Sequence, residues 1–422
     1  MSFSSLGVAK WLEESLNTLS IYKPSEVQKA CIPAILDGRN CIGGAKTGSG
    51  KTIAFAAPML TQWSKDPYGI CGLVLTPTRE LAIQIAEQFK ALGATMNIRV
   101  AVIVGGMDMI SQAIELQKRP HFVIATPGRL ADHIMSSGEE SIAGLRRVRY
   151  VVLDEADRLL SQSLAKDLRK CLDVLPVSTN RQTLVFTATV TDAVRSLKDR
   201  PRGPNEKPVF IHESAQSEIM PEKLEQFYIL CPSYVKLVYL YAVLTHPDNE
   251  AKTAIVFVNR TEAAEHILRT LQLLEVKTTS LHSQMKQQER LNALGRFRAG
   301  AARVLVATDV ASRGLDIPQV ELVVNMDIPA DADDYVHRVG RTARAGRSGQ
   351  CMSLVGERDV SRIEKIEERI QQKLEEYTRI SDTKLVESSL KKVSVAKREA
   401  IMAMEKDHFG ERKKTHKRKR MQ

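Results

Sequence analysis

Short apolar runs rich in Val, Ile and Leu recur along the chain, each followed by small or polar residues and then by a helical pattern. In the first half they are Leu73-Val74-Leu75, Val100 to Val104, Phe122-Val123-Ile124, Val151-Val152-Leu153 and Leu184-Val185-Phe186. In the second half they are Ile255 to Val258, Val304-Leu305-Val306 and Leu322-Val323-Val324. Runs that are apolar without alternation fit strands buried on both faces of a parallel sheet. Helical segments such as 80–92 alternate with them. This rhythm predicts an α/β, doubly wound fold, in which ligands bind beyond the carboxyl ends of the strands.

The rhythm breaks around Asp199-Arg200-Pro201-Arg202-Gly203-Pro204-Asn205, which holds two prolines, a glycine and no apolar residue. A second α/β series follows. The chain is therefore read as one α/β domain over 1–200, a linker over 201–221, a second α/β domain over 222–356 and an extension over 357–422. Within the extension, 357–377 reads as one charged helix with Ile363, Ile366, Ile370 and Leu374 on a stripe. The last ten or so residues are too polar and too alike in charge to fold alone. A length of 422 residues also favours two cores over one.

Composition, 43% hydrophobic and 26% charged, fits a globular protein. No uncharged apolar stretch of roughly 18 residues occurs, and the N-terminal segment lacks a signal-peptide pattern, so an intracellular chain with no membrane span is expected. The six cysteines are scattered without a CxxC pair, and the nine histidines lack ligand spacing. Reduced thiols are expected, not zinc or a disulfide framework. The net charge of +11 suggests a polyanionic partner, but seven Lys/Arg against Glu411 between 411 and 420 supply +6 of it. That tail has three readings: a nuclear targeting signal, a nonspecific RNA arm, or a solvated charge run. Nucleic-acid binding elsewhere must rest on placed residues.

The strongest motif is Ala45-Lys46-Thr47-Gly48-Ser49-Gly50-Lys51-Thr52. Its glycines let backbone N–H groups turn around phosphates, Lys51 faces the outer phosphates, and Thr52 offers a hydroxyl to Mg²⁺. About a hundred residues on, Val151-Val152-Leu153 runs into Asp154-Glu155-Ala156-Asp157. An apolar strand ending in acids suits Mg²⁺ binding by Asp154 and polarisation of the attacking water by Glu155. Alone, the first motif could be an incidental glycine-rich turn, and the second an acid-rich helix start.

Asp154-Glu155-Ala156-Asp157 spells the DEAD box, and the chain resembles the DEAD-box ATP-dependent RNA helicases from about Phe3 to Val355. Matching segments are Pro24 to Gln28, Pro77-Thr78-Arg79-Glu80-Leu81-Ala82, Gly105-Gly106, Thr126-Pro127-Gly128-Arg129, Thr187-Ala188-Thr189, Gln287 with Arg290, Ala307 to Asp316, and His337 to Arg344. The resemblance implies two tandem RecA-like domains using ATP and Mg²⁺. It makes 1–28 a Q motif, with Gln28 and Phe3 at adenine, and Thr47 to Thr52 a phosphate cradle. Gly314 and Asp316 would contact ATP from the second half. Arg341 and Arg344, three apart on one helical face, would clamp the γ-phosphate. RNA would lie against Pro77, Thr78, Arg79, Gly105, Gly106, Thr126, Pro127, Gly128 and Arg129, then Gln287, Arg290 and Thr308. Asp157, Thr187, Thr189 and His337 would couple the ATP site to strand separation.

The expected mechanism has two states: ATP and RNA each favour a closed form, hydrolysis reopens it, and one RNA strand is lost locally. The same motifs would serve an ATP-gated RNA clamp or a remodeller of RNA–protein complexes that unwinds little. A DNA helicase and a silent scaffold are the remaining rivals. Resemblance extends to nucleolar members acting in ribosome biogenesis, through 66–70 and Gly105 to Met109. It implies a monomer in the nucleus or nucleolus acting on pre-rRNA, with pre-ribosomal protein cofactors.

Overall fold

The computed structural model describes residues 2–45, 48–177, 180–188, 194, 196, 207–213, 220–221, 223–309, 319–343, 348–380, 383–407 and 409. It divides into two compact units, Met1–Gln216 and Ser217–Gln422. Each is built on one parallel seven-stranded sheet.

In unit 1 the strands are β1 (Cys41–Gly44), β2 (Gly72–Leu75), β3 (Val100–Ile103), β4 (Phe122–Ala125), β5 (Tyr150–Asp154), β6 (Gln182–Thr187) and β7 (Phe210–Glu213). Their spatial order is β3-β4-β2-β5-β6-β1-β7. Val74, Ile124 and Val152 enter one core with Phe55 and Phe89, whereas Leu73, Val123 and Val151 enter another with Leu130 and Leu159. Burial on both faces is why these strands read as unbroken apolar runs.

In unit 2 the strands are β8 (Leu224–Leu230), β9 (Ala254–Val258), β10 (Thr278–Leu281), β11 (Val304–Thr308), β12 (Leu322–Asn325), β13 (Gly349–Val355) and β14 (Glu375–Glu376). Their order is β10-β11-β9-β12-β13-β8-β14. Val256, Val306 and Val324 face one core, and Ile255, Leu305 and Val323 the other.

Three features depart from the sequence reading. First, the 201–221 segment contains β7, which joins the unit 1 sheet beside β1. Lys207 Nζ donates to the Asp37 carbonyl at 2.8 Å, and Arg39 Nε to the Pro208 carbonyl at 3.0 Å. Second, the single helix expected over 357–377 covers only Val360–Ile370. Gln371 turns left-handed at φ +54°, and the chain then forms β14 on β8. Third, a 24-residue helix, Thr383–Lys406, packs on the Lys236–Thr245 and Thr261–Leu273 helices. Its buried face is Val393, Ala396 and Ala400, too thin in large apolar residues to stand out in the sequence. Among the described residues, no helix is long and apolar enough to cross a membrane. All six cysteines are free and buried.

Candidate nucleotide and nucleic-acid site

The strand order of unit 1 sorts its motifs into two groups. The carboxyl ends of β5, β6 and β1 are neighbours, and they carry 154–157, 187–189 and 45–52 respectively. The carboxyl ends of β3, β4 and β2 are neighbours too, and they carry 105–106, 126–129 and 77–79. One half of the sheet edge thus holds the phosphate-binding chemistry, and the other half the glycine-, hydroxyl- and arginine-bearing loops.

In the phosphate half, Gly48 and Gly50 adopt φ of +82° and +90°. Gly50 opens the Lys51–Trp63 helix, whose N-terminal N–H groups and dipole favour an anion. The Lys51 ammonium bonds back to the Ala45 carbonyl across the loop. Ser49 Oγ is buried with no hydrogen-bond partner among the described residues. Asp154 ends β5, nearly buried, and its Oδ1 likewise lacks a partner there. Burial pushes the Asp154 carboxyl up to about 6, while the Lys51 charge pulls it down. A buried acid aimed at a lysine with an acceptor to spare fits a phosphate-bound divalent cation. Mg²⁺ needs only one or two carboxylates beside substrate phosphates. Asp154 and Thr52 would hold it, and it would supply charge neutralisation to the phosphates.

Glu155 follows at φ +52°, a left-handed conformation uncommon outside glycine. Such strain concentrates at functional sites, and here it lies between β5 and the short Ala156–Leu159 helix. Thr187 Oγ1 donates to Asp157 Oδ1 at 2.9 Å, so the 187–189 segment is tied directly to the acidic motif. Ala45 N donates to the Thr187 carbonyl at 3.1 Å, which closes the circuit to the phosphate loop.

Gln28 lies in the Glu26–Leu36 helix, which Ser25 caps. Its Oε1 accepts from Ser25 N at 2.9 Å, and its Nε2 donates to the Gly50 carbonyl at 3.0 Å. The amide expected at adenine therefore also braces the phosphate loop. A Cβ on Gly50 would stand 2.2 Å from Gln28 Nε2, at a φ that L residues disfavour. Gly50→Ala is expected to weaken ATP binding by an order of magnitude or more, since strain of roughly 1–3 kcal/mol adds to the lost brace. Titration with a fluorescent nucleotide checks this; unchanged affinity would show that the brace is dispensable. Phe3 is completely buried in the core beside this helix.

In the other half, Thr78 caps the Arg79–Leu92 helix, its hydroxyl accepting from Leu81 N at 3.4 Å. The Arg79 guanidinium lies against Gly105, where a Cβ would approach it to 2.8 Å. Gly106 has φ +82°, and Arg129 Nη1 donates to the Met107 carbonyl at 2.8 Å. Thr126 and Pro127 start the next helix, with Gly128 in its first turn. The three loops are thus joined into one surface by their own arginines.

In unit 2, Gln287 and Arg290 sit in the first turn of the Gln287–Arg298 helix, which follows β10. Thr308 ends β11, the neighbour of β10. These three therefore share one corner of the sheet edge. His337 lies half-buried on the Ala332–Val339 helix. That helix ends at Val339, so Arg341 does not share a helical face with Arg344 as the spacing suggested. Arg341 sits in the turn after Gly340, nearly buried, and its carbonyl accepts from Val320 N at 3.2 Å. Thr47, Thr189, Gly314, Asp316, Arg344 and the basic tail lie outside the described residues.

Sequence reasoning assigned no role to Arg338, which the structure makes a hub. Its guanidinium is wholly buried and grips both carboxylate oxygens of Asp309, at 2.6 and 2.8 Å. It also donates to Asn259 Oδ1 at 2.8 Å and to the Asp327 carbonyl at 2.6 Å, and it lies over Phe257. It thus pins the loops after β9, β11 and β12 to the helix that leads to Arg341. One signal could have found it: Tyr335, Arg338 and Val339 form the buried stripe of an otherwise polar helix.

Comparison with known proteins completes this picture. The DEAD/DEAH box helicase profile matches residues 25–197, and the helicase conserved C-terminal domain profile matches 235–346. A protein named ATP-dependent RNA helicase DBP8 from Yarrowia lipolytica is 67% identical over 420 residues, covering 99% of this chain and 94% of its own. Its namesake in Candida albicans is 62% identical over 421 residues, covering 99% and 96%. Among solved structures, S. cerevisiae Dbp5 bound to RNA and ADP BeF3 matches with a TM-score of 0.77 and 29% identity, over 92% of this chain and 99% of that one. Mss116p bound to ssRNA and AMP-PNP matches with a TM-score of 0.81 and 27% identity, over 93% and 82%.

Proposed function

The chain belongs to the DEAD/DEAH box helicase family, and we propose that it is an RNA-stimulated ATPase that uses ATP binding and hydrolysis to separate short RNA duplexes, in rRNA processing during ribosome biogenesis. The observation that carries the ATPase reading is the buried Asp154 carboxylate with an open acceptor, opposite Lys51 and linked through 154–157 to Thr187. Lys51 and the N–H groups of 48–52 hold the phosphates, and Asp154 with Thr52 holds Mg²⁺. Glu155 accepts the proton of the attacking water. Gln28 pairs with adenine through the bonding capacity left on its amide, and Phe3 anchors the segment that carries it. Arg341 and Arg344 of unit 2 neutralise charge on the γ-phosphate, the role of arginine fingers in phosphoryl transfer.

The RNA backbone runs over 77–79, 105–106 and 126–129 of unit 1 and reaches Gln287, Arg290 and Thr308 of unit 2. Glycines, hydroxyls and arginines contact phosphate and sugar without reading bases. ATP and RNA both need both units, so each raises the affinity for the other. The Thr187–Asp157 bond conveys the state of the acidic motif to the 187–189 segment. The domains are taken as 1–200 and 222–356, with a basic extension behind them, and the working form as a monomer. The DBP8 name of the relatives supports a pre-rRNA target, pre-ribosomal partners and a nucleolar location.

A short-duplex unwinding assay tests this function. ATP-dependent strand separation is expected with an RNA duplex. Its absence, together with intact RNA-stimulated hydrolysis, would favour the ATP-gated clamp or remodeller instead.

A further inference from the structure

The C-terminal end of unit 2 is fastened beside the corner that holds Gln287, Arg290 and Thr308. The Thr383–Lys406 helix runs over its two partner helices, and the residues just beyond it meet the chain that leaves β10. Asp407 Oδ2 accepts from Arg269 Nη1 at 2.6 Å. Arg269 Nε donates to Glu265 Oε1 at 2.7 Å, and Glu265 Oε2 faces His282 Nε2 at 3.6 Å. The ring of Phe409 meets His282 edge-on, with centroids 6.1 Å apart. Asp407, Arg269, Glu265, His282 and Phe409 therefore form one closed chain of contacts. His282 directly follows β10, whose last residue is Leu281, and stands five positions before Gln287. Phe409 N also donates to the Met404 carbonyl at 3.0 Å, so the turn holding the ring is itself fixed.

A solvated tail needs no such fastening. The seven Lys/Arg between 411 and 420 begin three positions beyond Phe409. We propose that these contacts latch the root of the basic tail to the RNA-gripping corner of unit 2, so that the tail extends the grip along the RNA on that side alone. This rests on the reading of Gln287, Arg290 and Thr308 as RNA contacts. The physical gain is effective concentration. A chain of this length spans roughly 35–40 Å fully extended and about half that on average. Rooted at the corner, its charges stay near the phosphates that leave unit 2, at a concentration that falls steeply with distance. A tail rooted on a far face would favour neither end of the strand.

The test uses the full-length protein with a non-hydrolysable ATP analogue and three labelled single-stranded RNAs. One is a short RNA that the two units span; the others carry about ten extra nucleotides at the 5′ or the 3′ end. Only one of the two extensions is expected to tighten binding, on the order of tenfold at low salt, with a steeper salt dependence of roughly 0.7 per added phosphate contact. Changing the seven basic tail residues to Gln removes that gain. Asp407→Asn and Phe409→Ala together free the root while keeping the basic residues, and are expected to make the two extensions alike. Asp407→Asn alone retains the ring contact and should fall between. Equal gain from both extensions in the parent protein would overturn the proposal. So would a one-sided gain that survives neutralisation, or a neutralised tail that changes only nuclear uptake. If the short RNA is not bound in an ATP-analogue-dependent way, the functional reading itself fails, and this one with it.

Discussion

Glu155→Gln is expected to bind ATP about as tightly as the parent protein and to hydrolyse it slower by a factor of roughly 10²–10⁴. The substitution keeps the size of the side chain and removes only its ability to take a proton. Lys51, Thr52 and Asp154, which hold the phosphates and their metal, are untouched. The backbone around 155 is left-handed at φ +52°, and the packing that enforces it stays in place. Binding and chemistry should therefore separate cleanly. Single-turnover hydrolysis beside equilibrium titration with a fluorescent nucleotide measures both. Hydrolysis at the parent rate would remove Glu155 from the mechanism; lost binding would mean that its charge helps to hold the nucleotide.

Arg338→Leu is expected to destabilise unit 2 by about 3 kcal/mol, the low end for breaking a buried ion pair, because Asp309 keeps some exposure. The leucine can fill the space over Phe257. It cannot satisfy Asp309, Asn259 and the Asp327 carbonyl, which would lose their donors together. For a unit of this size the loss corresponds to a melting temperature lower by roughly 6–12 °C. Calorimetry should show one transition move and the other stay. RNA-stimulated hydrolysis should fall as well, since the turn bearing Arg341 leaves the helix that Arg338 anchors. A variant with unchanged melting would show that the hub is not structural.

Buried parallel strands announce themselves, and the apolar runs of both halves became strands at the expected places. The strands that escaped notice have physical reasons for it. β1 reads Cys41-Ile42-Gly43-Gly44, and Gly43 is needed because a Cβ there would strike the Phe186 ring at 2.5 Å. β10 is Thr278-Thr279-Ser280-Leu281, buried in spite of its hydroxyls. Thr278 Oγ1 meets that need by donating to the Val276 carbonyl at 2.9 Å. β7 was hidden in a stretch whose prolines read as linker.

The motif residues were legible one by one because glycines, acids and arginines carry distinctive chemistry. Their grouping was not, because it follows from strand order, and non-sequential strands become neighbours only in the folded sheet. Internal use of polar groups was equally invisible. Gln28 braces Gly50, Arg129 holds the 107 carbonyl, and Arg338 spends its donors inside the unit. The 341/344 pairing failed for a simple reason: Gly340 follows the last helical residue, so a spacing rule for helices no longer applied.

The central claim is that one molecule couples ATP hydrolysis to RNA through two sites on shared sheet edges. Steady-state ATPase, measured alone, with single-stranded RNA and with DNA of the same length, tests it most directly. The account predicts low hydrolysis alone, a marked rise with RNA and little or none with DNA. An equal rise with DNA, or no rise with either nucleic acid, would contradict it.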